Sequence, residues 1–169
     1  MINTKNLGIM ITAGIDHKES LKICIESCRR INPGVIVCGI GIGLDSKSNS
    51  ESNFILPVDD TLRLADIWFL SKNKSWFWIQ KYGLNIIDKY RNHRTGLEGK
   101  IFIKKKEYYN SEIDYIFSIN GDYFLEKLEE IHEMFNTLSS KNIDIIYPKL
   151  GVSFYFAKKE TALKIYGES

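Results

Sequence analysis

The chain has 169 residues, 44% of them hydrophobic and 12% aromatic, with a formal net charge of +2. That length supports one domain with a real core rather than two, and the apolar content excludes a disordered chain. The only dense basic run, Lys104-Lys105-Lys106, has acids close by, so there is no electrostatic footprint for nucleic acid.

Leu7–Thr12 is a short apolar run that reads as a first strand, broken by Ala13-Gly14. Asp16 and Glu19 have the spacing of a capping box, and Leu21, Cys24, Ile25, Cys28 and Ile31 then recur at helical intervals. Lys18, Lys22, Glu26 and Arg29 fall on the solvent side. Asn32-Pro33-Gly34 stops this helix, and Val35–Ile40 is a second buried strand, so the unit predicts parallel pairing through a helical crossover. Gly41 to Asn53 is a polar, serine-rich loop. Asn53–Pro57 reads as a third short strand, and Asp59, Asp60 and Thr61 can cap a helix over Leu62–Leu70.

A further helix is expected over Trp76–Tyr90. Residues 92–110 read as an insertion, within which Lys100–Lys106 alternates like an edge strand blunted by lysines. Tyr115–Ile119 is a continuous apolar strand that runs into Asn120-Gly121-Asp122. Phe124, Leu128, Ile131, Phe135 and Leu138 mark an amphipathic helix. Asp144–Pro148 and Val152–Ala157 are two more strands, and Lys159–Tyr166 a closing helix. The pattern predicts an α/β fold: a single three-layer domain over 1–169, Rossmann-like, around a mostly parallel central sheet.

Several motifs lead nowhere chemical. Gly39-Ile-Gly-Ile-Gly43 follows a strand, but its third glycine comes too early for a dinucleotide fingerprint, and no P-loop occurs. His17, His93 and His132 show no ligand spacing, and His132 lies on the polar side of its helix. Cys24, Cys28 and Cys38 make an odd set without metal-knuckle spacing, which reads as buried, reduced thiols in a reducing compartment. No segment approaches the roughly 20 apolar residues that span a bilayer, so no transmembrane segment and a cytoplasmic location are expected. Trp76, Phe77 and Trp78 could stack a sugar or a base but read better as core or interface packing, and an exposed member would suit a homo-oligomer.

The Asn120-Gly121-Asp122 tip stands apart. Open α/β sheets place ligands beyond the carboxyl ends of their strands, and Asn and Asp two positions apart offer hard oxygen donors for a divalent cation carrying a phosphorylated substrate. The plain alternative is an ordinary Asn-Gly turn.

With that tip in place, the order of parts resembles the donor half of a GT-A type (family 2-like) nucleotide-sugar glycosyltransferase. The resemblance runs through Ile9–Asn32, Val35–Ser50, the strand ending in the acidic tip, the helix after it, and Phe154–Glu160. It implies transfer of a sugar from a nucleotide-sugar donor to an acceptor that is a saccharide, a lipid or a protein, with Mn²⁺ or Mg²⁺. By that resemblance Asp122 and Asn120 are the metal ligands. Asn120 stands where the family has an acid, and an amide binds these ions more weakly than a carboxylate. Thr12, Ala13 and Gly14 match the loop that meets base and ribose. Asp45 is the nearest substitute for the acid after the second strand, Asp59 follows the third strand, and Lys81 could approach the diphosphate. No residue matches a catalytic base. The competing expectation is a non-catalytic α/β module that binds a nucleotide or a protein.

Overall fold

The computed structural model describes residues 3–14, 18–43, 51–70, 113–147 and 154–165. A 3-10 turn (Thr4–Asn6) leads into β1 (Leu7–Gly14), followed by α1 (Lys18–Arg29), β2 (Val35–Gly43), β3 (Glu51–Pro57) and α2 (Val58–Leu70). The second half contains β4 (Tyr115–Asn120), α3 (Leu128–Ser140), β5 (Ile145–Ile146), β6 (Phe154–Lys158) and α4 (Lys159–Ile165). The strands form one sheet in the order β3-β2-β1-β4-β6-β5.

The fold is α/β, but its sheet is mixed rather than mostly parallel. β1 pairs in parallel with both β2 and β4, whereas β3 runs antiparallel to β2, and β6 antiparallel to both β4 and β5. The serine-rich segment was expected to be loop from Gly41 onward. Instead Gly41–Gly43 and Glu51–Asn53 continue the β2–β3 ladder, which sends β3 back the way β2 came. Ala13 and Gly14 likewise stay in β1, paired with Ile40 and Gly41, rather than breaking the strand.

The apolar periodicity of α1 is realised as read, since Leu21, Cys24, Ile25, Cys28 and the following Ile31 are buried, but Lys18, expected in solvent, is half-buried and paired with Asp66. Asp59, Asp60 and Thr61 sit inside the first turn of α2 instead of ahead of it, and the Thr61 hydroxyl donates back to the Pro57 carbonyl at 2.9 Å. Acidic side chains there complement the helix dipole. The start of α3 falls at Leu128, so Phe124 is not part of its apolar face and is instead exposed. Asp16, His17, Asp45, Lys81, the 76–90 helix and the 92–110 insertion lie outside the described residues.

Paired residues on neighbouring strands share a face of the sheet. Ile11, Cys38 and Phe117 fall on one face, and the contacts of that face are with helices: Leu21 of α1 beside Ile11, and Phe135 of α3 edge-on to Tyr115 at 5.3 Å. Phe117 stacks on Phe156 across the β4–β6 ladder with ring centroids 4.1 Å apart. On the opposite face Met10, Val37, Ile55 and Ile116 are also buried. Among the described residues no helix is long and apolar enough to cross a membrane.

Candidate functional site

The chain fills one side of the sheet with β1, β2 and β3, then returns to the other side of β1 with β4. That reversal falls between β1 and β4, and the space beyond their carboxyl ends is the usual position of a ligand in an open α/β sheet. Thr12 and Asn120 are direct partners there, and the Gly121 N–H extends the ladder by donating to the Thr12 carbonyl at 2.7 Å. The Tyr123 N–H then donates to the Asn120 carbonyl at 3.2 Å, closing a four-residue turn.

Gly121 is required by contact. A Cβ at that position would lie 2.7 Å from the Ala13 Cβ and 3.4 Å from side-chain atoms of Ile11 and Leu21. The turn therefore seats directly on the end of β1. Asn120 and Asp122, on either side of the glycine, are exposed, as is Thr12, while Ala13 and Gly14 are half-buried. Among the described residues neither the Asn120 nor the Asp122 side chain has a hydrogen bond or ion pair.

α1 supports the turn from beneath. The Cys24 thiol donates to the Asn120 carbonyl at 3.7 Å, long but within reach for sulfur. A hydrogen bond from the Cys28 thiol holds Cys24 below the ordinary thiol range, although burial and the Asp122 charge push the other way; the same pairing, with burial, pushes Cys28 up. Burial raises Cys38 to about 12. All three cysteines are buried and free, so they act as packing and as weak hydrogen-bond donors rather than as nucleophiles. One turn further along, the Ser27 hydroxyl accepts from the Leu125 N–H at 3.3 Å, and Arg30 donates to the Leu125 carbonyl at 3.4 Å. The segment leaving the tip is thus tied to α1 at both polar groups of Leu125.

The structure brings Thr12, Ala13, Gly14, Asn120 and Asp122 together, but not Asp59. Because β3 is antiparallel, Pro57 pairs with Val37, level with Met10 of β1, and Asp59 lies beyond it toward the amino ends of the parallel strands. His132, expected in solvent, is half-buried with its Nε2 turned inward and without a hydrogen-bond partner among the described residues. The Cys24 contact was invisible in the sequence, since it joins residues 96 positions apart.

Among the described residues the donors flanking Gly121 are one carboxylate and one amide oxygen, and no group of three His, Cys, Asp or Glu side chains could hold a metal. Such a pair fits Mg²⁺ or Mn²⁺ in one way only: as a partial cradle, with substrate phosphates and water completing the octahedron. It does not fit a closed structural metal site. Comparison with known proteins finds no matching family model, curated protein or solved structure.

Proposed function

We propose that this chain is a metal-dependent glycosyltransferase with a three-layer, GT-A-like donor domain. The observation that carries the reading is the Asn120-Gly121-Asp122 turn seated on the end of β1, which presents two oxygen side chains at the point where the sheet order reverses. Buried side chains on both faces of the sheet support the layered architecture.

On this reading the Asp122 carboxylate and the Asn120 amide oxygen would hold Mg²⁺ or Mn²⁺ against the diphosphate of a nucleotide-sugar. When bound, the ion neutralises charge that grows on the leaving diphosphate. Asp122 supplies a full negative charge at the tip. The end of β1, from Thr12 to Gly14, supplies backbone and hydroxyl groups for the nucleoside. Gly121 fixes the distance between these two halves of the site. The Gly121 N–H bond to the Thr12 carbonyl ties the tip to β1, which matters because a misplacement of an ångström is costly in catalysis.

A non-catalytic nucleotide-binding module is the second reading, favoured by the amide at Asn120 and the single carboxylate. Melting experiments with a panel of nucleoside diphosphates, with and without Mn²⁺, test both. A real site at about 100 times its Kd stabilises by about 2.7 kcal/mol, a shift of several degrees. The transferase reading expects a Mn²⁺-dependent shift that disappears in Asp122→Ala, together with turnover of a nucleotide-sugar. A shift without turnover favours the module, and no shift with any nucleotide rejects the donor site.

A further inference from the structure

At the edge of the sheet, two strands beyond β4, a groove of about 430 Å³ separates α3 from β5. Glu130, Glu133, Met134 and Thr137 of α3 form one side of it and Ile146 of β5 the other. Ile146 pairs with Phe156, which pairs in turn with Phe117, so its side chain falls on the helix-covered face of the sheet. The walls are apolar at Met134 and Ile146 and acidic at Glu130 and Glu133, and no cation among the described residues lines them. Lys127 meets Glu130 at 3.6 Å, but Glu133 has no ion pair or hydrogen bond among the described residues.

The strand bordering this groove has backbone groups to spare. The Lys158 N–H donates to the Asp144 carbonyl at 3.0 Å, which makes Asp144 and Lys158 a hydrogen-bonded pair of the antiparallel ladder. Such pairs alternate, so Ile145, opposite Ala157, turns its N–H and C=O away from β6. The other side of β6 has the same phase. There the Lys159 N–H donates to the Asp114 carbonyl at 2.9 Å, which directs Ala157 toward Ile116 of β4. Among the described residues β5 is the last strand of the sheet, and neither backbone group of Ile145 has a partner. A free edge of this kind is a template for another strand.

We propose that an extended, lysine- or arginine-bearing segment of a partner protein adds to β5 as a further strand, with its cationic side chains in the α3 groove. An added strand lies about 4.8 Å beyond β5 and sends alternate side chains to the helix-covered face. There the aliphatic stems of lysine or arginine cover Met134 and Ile146, and the charged heads reach Glu130 and Glu133. Main-chain bonds to Ile145 supply affinity, and the carboxylates select the sign of the partner's charge. Charge also decides between occupants. A second copy paired edge to edge through β5 would set Glu130 and Glu133 against their own counterparts, like charge against like. A free small amine would neutralise the carboxylates but leave the Ile145 N–H and C=O bare. The edge lies apart from the donor tip, so binding here needs no nucleotide.

The test titrates the full chain with a fluorescent peptide of about eight residues in which valine and lysine alternate. The companion probes are the same peptide with glutamate for lysine, the same peptide with N-methylated backbone amides, and spermine as a competitor. Expected are saturable binding of the basic peptide, none of the acidic one, and a loss of about 10-fold or more on N-methylation. Glu133 is exposed, so Glu133→Lys should leave the melting temperature unchanged while weakening the basic peptide about 3- to 10-fold. Binding that survives N-methylation overturns strand addition, and binding untouched in Glu133→Lys overturns the groove. Spermine that binds as tightly as the peptide assigns the site to a small amine, and a dimer that excludes the peptide assigns the edge to a second copy. Either result overturns the proposal, as does a failure of the basic peptide to bind.

Discussion

Two glycine turns sit at opposite ends of the same sheet and serve different ends. At the amino end of β2, a Cβ on Gly34 would fall 2.1 Å from the Lys5 carbonyl oxygen and 2.7 Å from the Ile113 Cδ1. Most polar groups around it are paired with one another, although the buried Asn6 Oδ1 has no hydrogen-bond partner among the described residues. Gly34 donates to Leu7 at 2.9 Å, Asp114 to Asn6 at 2.8 Å, and Thr4 and Lys5 both reach Asn32, which itself adopts a φ of 59°. At the carboxyl end of β4, Gly121 makes a comparable close approach to Ala13, but the side chains flanking it point outward without partners among the described residues. Tightness alone does not mark a site. The difference lies in where unpaired oxygens sit: the first turn keeps its one orphan, Asn6 Oδ1, buried, and the second leaves two oxygen-bearing side chains exposed.

Substitutions should separate the two turns. Gly34→Ala pushes a methyl into a backbone carbonyl and is expected to cost about 3 kcal/mol, read as a lower urea midpoint at unchanged m-value, with no specific effect on nucleotide affinity in the folded fraction. Gly121→Ala meets only side-chain atoms and should cost about 2 kcal/mol, while also displacing the tip and weakening nucleotide binding. Because the obstructing atom is the Ala13 Cβ, the double variant with Ala13→Gly should recover much of both losses. A double-mutant cycle showing simple additivity would mean the two residues do not meet.

The buried thiols behind the tip provide a pH test. With the folded Cys38 thiol raised to about 12 from an ordinary 9.0, the unfolded chain releases its proton first as pH rises. Stability should therefore be intact below pH 9 and fall between 9 and 12, by about 1.4 kcal/mol at pH 10. Cys38→Ala should flatten that slope in alkaline unfolding curves. The smallest stability effect is expected for Asp122→Ala, within about 0.5 kcal/mol of wild type because the side chain is exposed. That variant should nonetheless abolish Mn²⁺-dependent binding. A large loss of stability there would make Asp122 a structural residue and erase the contrast with Gly34.

Much of the local structure was legible from one-dimensional pattern. The buried stripe of α1, the apolar run of β4, and the Ile131, Phe135 and Leu138 face of α3 follow from residue spacing, since burial repeats with the period of the element. The reading slipped where tertiary contacts override propensity. Phe124 fits the helical spacing of α3, yet the bonds from Leu125 to Ser27 and Arg30 keep its segment out of the helix. Asp59 follows a strand, as a nucleotide-binding acid would, yet it stands at the far end of the sheet.

By itself, then, the sequence determined the approximate positions of most strands and helices among the described residues, the apolar faces of α1 and α3, and that a polar glycine turn ends the strand at Asn120. Strand direction and neighbours were decided only in three dimensions, because an apolar strand looks the same whether it runs up or down. That choice reversed β3 and removed Asp59 from the carboxyl ends of β1 and β4. It also laid β4 beside β1, set Gly121 against Ala13, and brought the Cys24 thiol under a carbonyl 96 residues away.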